Sequence, residues 1–100
     1  MSGVPEPYRF KHQHVGPNQT SLLLTGSTVG DYLHRIVVTV TSGSNGAVSI
    51  SDDSHTHLIV PDGVGKGVYS VELNMVAQLS GWKVTTGSAV EVLAVGTFGS

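Results

Sequence analysis

The chain of 100 residues contains no cysteine, so neither a disulfide framework nor a thiolate metal site is open to it. Charged residues are scarce at 12%, about half of the ~25% usual in globular chains. Five Lys and Arg in 100 residues argue against the basic face that a nucleic-acid domain needs, so no nucleic-acid partner is expected. Apolar runs are far too short for a bilayer-spanning helix, and no membrane partner is expected. No basic region followed by an apolar core opens the chain, so a secretory signal is not expected either. Good helix formers are few, whereas valine supplies 16 residues and Ser and Thr are abundant, a bias toward β structure. One hundred residues make a single small domain with one modest core.

What is present divides at Gly16-Pro17-Asn18. Residues 1–18 read as an extended N-terminal arm, because Pro5, Pro7 and Pro17 exclude helix interior and no periodicity is evident. Residues 19–100 read as the folded domain. The arm carries a net +1 and the body −3, so a mildly basic arm precedes an acidic body. Within the arm, Tyr8-Arg9-Phe10-Lys11 alternates aromatic with basic residues and suits addition to a sheet edge, on this subunit or a neighbour. With nothing local to fold against, the arm is expected to order only on a partner, with Tyr8, Arg9, Phe10 and Lys11 as its anchors.

The body alternates with period two. In 32–41, Tyr32, His34, Ile36, Val38 and Val40 point to one side, read as the core, and Leu33, Arg35, Val37, Thr39 and Thr41 to the other. Ser42-Gly43-Ser44-Asn45-Gly46 reads as a hairpin connection, since Asn-Gly tolerates the positive φ of tight turns. Residues 61–67, with three glycines, read as a mobile loop. In 68–75, Tyr69, Val71, Leu73 and Met75 face inward. Short strands at such spacing fit a sandwich or a compact barrel, and the expected fold is an all-β, antiparallel two-sheet β-sandwich, jelly-roll or Ig-like, preceded by the arm. Leu33, Val37, Leu93 and Val95 then remain as a second apolar face that suits self-association.

Chemistry is thinly represented. Asp52-Asp53-Ser54-His55-Thr56-His57 is the best candidate, because His-x-His on an extended segment puts both imidazoles on one side, where they can share a metal ion. His12-x-His14 repeats the pattern. Yet no third ligand stands at fixed spacing, and Asp, Ser and His also serve turns and solvent, so His55 and His57 are weak candidates and no metal or other cofactor is expected. Gly63-x-Gly65-x-Gly67 leads into a strand rather than a helix, which removes the phosphate-loop reading. No nucleophile-elbow context exists, and the chain is not expected to be an enzyme. Trp82 alternates with Lys83 and pairs with Val84 on one face, which makes it a core residue before a sugar platform.

Gly30-Asp31-Tyr32-Leu33-His34-Arg35-Ile36-Val37-Val38-Thr39, Val68-Tyr69-Ser70-Val71-Glu72-Leu73 and Gly81-Trp82-Lys83-Val84-Thr85-Thr86-Gly87-Ser88 resemble small structural proteins of tailed bacteriophages. Val92-Leu93-Ala94-Val95-Gly96 extends the resemblance over residues 30–98. It implies a non-enzymatic virion component of the capsid decoration (cement) type, located on the capsid surface. Its implied partners are the major capsid protein and itself, as a homotrimer. The alternative expectation is a carbohydrate-binding or fibre-tip β-sandwich module, which would need Trp82 or Tyr69 exposed beside a concave surface.

Overall fold

The computed structural model describes residues 10–98 and is all β. Eight antiparallel strands form among the described residues: β1 (Lys11–Val15), β2 (Leu22–Leu23), β3 (Tyr32–Val40), β4 (Val48–Ser51), β5 (Thr56–Val60), β6 (Gly67–Val76), β7 (Lys83–Thr86) and β8 (Val90–Thr97). They make two four-stranded sheets, β1-β8-β3-β6 and β2-β7-β4-β5. First pairs with last, second with seventh, third with sixth and fourth with fifth, as if one long antiparallel ribbon had been folded across itself. That order is the jelly-roll arrangement of the two-sheet sandwich.

The core lies between the sheets. Ile36, Val38, Val92 and Ala94 from one sheet meet Val48, Ile50 and Val84 from the other, with Trp82 among them. Each fully buried Val, Leu or Ile contributes about 1.5–3 kcal/mol relative to exposure. Tyr69, Leu73 and Met75 pack against this core from β6, on the side that alternation assigns them.

Alternation through β3 breaks at His34: the register shifts between Leu33 and Arg35 against both β6 and β8. This bulge reverses the phase, so Leu33 is in the core while Tyr32 and His34 are only partly buried. Gly96 stands opposite, and a Cβ there would lie 2.2 Å from the Tyr32 carbonyl oxygen. Gly96→Ala must therefore move backbone of β3, and a loss of about 2–4 kcal/mol is expected in denaturant unfolding, as for a strained core position.

The segment 42–46 is not a hairpin. β3 and β4 belong to different sheets, and neither Asn45 nor Gly46 has positive φ. Asn45 is instead a buried tether, its Nδ2 donating to the Gly46 and Pro61 carbonyls and its own carbonyl accepting from Gly63 N–H. The loop 61–67, read as mobile, is thus pinned, and the Tyr69 hydroxyl adds a bond to the Gly65 carbonyl.

The arm ends earlier than residue 18. Lys11–Val15 is the edge strand of the first sheet, paired with β8 from Lys11↔Gly96 to Val15↔Val92, and Val15 is a core residue. Beyond it, Thr86 Oγ1 donates to the Gly16 carbonyl, and Gln19 exchanges hydrogen bonds with Thr86. An apolar Val15 at the right phase and an unpaired β8 edge hold this stretch without any partner.

Candidate functional site

The outer face of the first sheet is the candidate interaction face. Residues opposite one another on antiparallel strands point to the same side, so the register lays this face out as rows. His12, Val95, Arg35 and Glu72 form one row across β1, β8, β3 and β6. His14, Leu93, Val37 and Ser70 form the next. Glu91, Thr39 and Val68 form a third. Val37, Leu93 and Val95 are half-buried at the centre, whereas Val68 is 67% exposed. His14 reaches Glu91 in an ion pair at the rim when protonated. His14, Val37, Thr39, Glu91 and Leu93 enclose a shallow depression of about 310 Å³.

An aromatic ridge bounds the first end of the face. The Phe10 ring lies 4.9 Å from the His34 ring and 6.0 Å from the Tyr32 ring, centroid to centroid. The Tyr32 hydroxyl donates to Asn74 Oδ1, and His34 Nδ1 lies 3.1 Å from that same oxygen. Of the four anchors expected in the arm, Phe10 is therefore in the ridge and Lys11 opens β1, whereas Tyr8 and Arg9 lie outside the described residues. Leu33, expected on the second face, is absent from it because of the bulge.

The outer face of the second sheet contrasts with this. Ser49, Ser51, Thr56 and Thr85 occupy it, with Lys83, and with Leu23 and Leu58 at the edge strands. Hydroxyl side chains bond water readily, so that centre is already compatible with solvent. An apolar centre with a polar rim, as on the first sheet, is the anatomy of a docking surface.

The His-rich segment has a different use. His55 and His57 do share a side, their ring centroids 6.2 Å apart, at a recess of about 380 Å³ that opens between β5 and β6. The neighbouring carboxylates do not join them. Asp52, 3% exposed, accepts from the backbone N–H of Ser54, His55 and Gln78 and from the Ser54 hydroxyl. Burial pushes its pKa up, but the bonds from Ser54, Gln78 and His55 outweigh that and hold the carboxyl well below the usual range. Asp53 is paired with Lys83, whose hydrogen bond, with that of Ser80, lowers its pKa. Among the described residues no three His, Cys, Asp or Glu side chains converge to hold a metal ion. The signal for the Asp52 role is local: Asp-x-Ser is a pattern in which the carboxylate caps backbone N–H groups two residues on.

Trp82 lies in the core, 1% exposed, its Nε1 donating to the Asp31 carbonyl. Tyr69 is half-buried against the core, so neither aromatic offers a stacking platform.

No family model and no curated protein matches the sequence. Among solved structures, the Tobacco streak virus coat protein dimer is similar over 98% of this chain and 90% of that chain, at 8% identity and a TM-score of 0.34. Likeness at that level carries no argument about function.

Proposed function

We propose that the protein is a non-catalytic virion component, a decoration protein that attaches to the outer shell of a tailed phage through the outer face of its first sheet. The observation that carries this reading is the asymmetry between the centres of the two outer faces. Val37, Leu93 and Val95 are at the centre of one, and Ser49, Ser51, Thr85 and Lys83 at the centre of the other, whose exposed Leu23 and Leu58 lie on its edge strands. An apolar centre ringed by His14, Glu91, Arg35 and Thr39 fits a largely neutral partner surface with an apolar patch, such as a shell subunit presents. The sequence resemblance to phage structural proteins supports the same reading. Several copies on one shell gain by effective concentration what a single small face lacks, so self-association belongs to the proposal. The homotrimer implied by the resemblance is one of the masses that sedimentation distinguishes.

Leu93→Glu and Val37→Glu test it on shells purified from the source phage. Both positions point away from the core, so the variants are expected to fold. Loss of one apolar contact at the centre is expected to weaken attachment about tenfold or more. A chain lacking residues 1–9 measures the arm separately, whereas removal of 1–16 would strip β1 and Val15 from the sandwich. Equal occupancy by wild type and both face variants would overturn the docking surface.

A further inference from the structure

Sheet edges present unpaired N–H and C=O groups that natural proteins blunt with short strands, Pro, Lys or bulges. Three of the four edges here are blunted. β2 has two residues, β1 opens on Lys11, and β5 ends at Pro61 after a register irregularity against β4. β6 is the exception. It is ten residues long, pairs among the described residues on one side only, with β3, and carries no Pro, Lys or Arg. Its one irregularity, opposite His34 with Asn74 at positive φ, lies near its end and leaves residues 67–72 in regular register. Val68 and Val76 are exposed along it, and Glu72 is its single charge.

We propose that β6 is a self-pairing edge: two copies of the chain join their first sheets across a two-fold axis at Val71, with β6 antiparallel to the partner's β6. The register follows from side-chain direction. Opposed residues must point to the same face, so the axis falls on a residue and not between two. An axis at Glu72 would set two carboxylates against each other, and an axis at Ser70 would set Glu72 against exposed Val68. At Val71, Ser70 opposes the partner's Glu72, Tyr69 opposes the partner's Leu73, and Val71 opposes the partner's Val71. This is also the register in which charge is complementary. Arg35 Nη1 already reaches across to Ser70 Oγ at 3.0 Å. Opposed Cβ atoms in such a pair lie roughly 5 Å apart, so the partner's Glu72 comes within reach of Arg35. Neither Arg35 nor Glu72 has an ion pair with another described residue of its own chain. The inference goes beyond the docking face: it would set two such faces side by side in one eight-stranded sheet.

The test is sedimentation of the full chain across micromolar concentrations, with hydrogen exchange on the same samples. A species of twice 10.4 kDa is expected, with amides in 68–74 losing protection on dilution. Glu72→Arg and Arg35→Glu should each weaken the dimer about tenfold or more, since each change acts twice across the axis, and the double variant should recover it. If either single variant fails to fold, exchange on the unaltered chain decides. A monomer throughout, a trimer, a dimer whose β6 amides ignore dilution, or folded charge variants that associate as wild type would overturn the proposal. Shell attachment is scored apart. A monomer that still binds shells overturns the edge and leaves the docking face standing, and a dimer that does not bind does the reverse.

Discussion

Asp52→Ala is expected to destabilise the protein by about 3–5 kcal/mol, a large part of the ~5–15 kcal/mol total of a domain this size. The carboxylate gathers the N–H groups of Ser54 and His55, in the β4–β5 loop, and of Gln78, in the β6–β7 loop, into one buried acceptor. The Asp52 carbonyl accepts from Ser80 N–H and from the Ser80 hydroxyl, so the two loops are joined twice. Alanine leaves these donors without their acceptor, and each buried orphan costs about 1–3 kcal/mol. Thermal unfolding should report a fall of roughly 4–8 °C for every kcal/mol lost. Asp52→Asn retains one acceptor oxygen and should fall between alanine and wild type.

The same residue predicts acid behaviour. Its folded pKa is depressed below the ordinary 3.8, so the folded state binds this proton less readily than the unfolded chain. The stabilisation is therefore fully present above about pH 5 and is lost as the pH falls through 3.8 toward the lower folded value. Urea titrations from pH 6 to pH 2 should show wild type losing stability over that window, and Asp52→Asn losing less. Parallel slopes for the two proteins would mean that other carboxylates govern acid unfolding.

Trp82→Ala is the second large effect. The indole is fully enclosed between the sheets, and truncating such a side chain costs about 3–5 kcal/mol through lost burial and the cavity left behind. The Asp31 carbonyl keeps a bond from Ala77 N–H, so packing, not an orphaned acceptor, accounts for most of the loss. Trp82→Phe, which keeps an aromatic at the site, should cost less. As the single tryptophan, Trp82 reports on itself: native emission should be blue-shifted and should move to the red on unfolding. Were Trp82 a ligand platform, alanine would leave stability unchanged and remove binding only. Wild-type stability in the alanine variant would contradict the core assignment.

Period-two alternation determined a good deal from the sequence alone. Tyr69, Val71, Leu73 and Met75 face as their spacing requires, and Trp82 shares a face with Val84. Alternation is a local property of a strand with one face in water, so it survives without knowledge of neighbours. The all-β antiparallel class follows from strand length and spacing in the same way, whereas the division into two sheets rather than a closed barrel is a property of the tertiary structure. What depends on a partner distant in the chain was decided only by tertiary structure. The bulge at His34 exists because Gly96, far along the chain, lets β8 approach the β3 backbone, and it moves Leu33 to the core. Asn45-Gly46 carries the local signal of a hairpin, yet its tether is to Pro61 and Gly63, which assigns β3 and β4 to opposite sheets. Lys11–Val15 has arm-like composition and becomes a strand because β8 offers it an edge and the core accepts Val15. Sequence patterns record which way a side chain faces relative to its neighbours in the chain; they do not record which strand lies beside it, because that choice is made by packing across the whole sandwich.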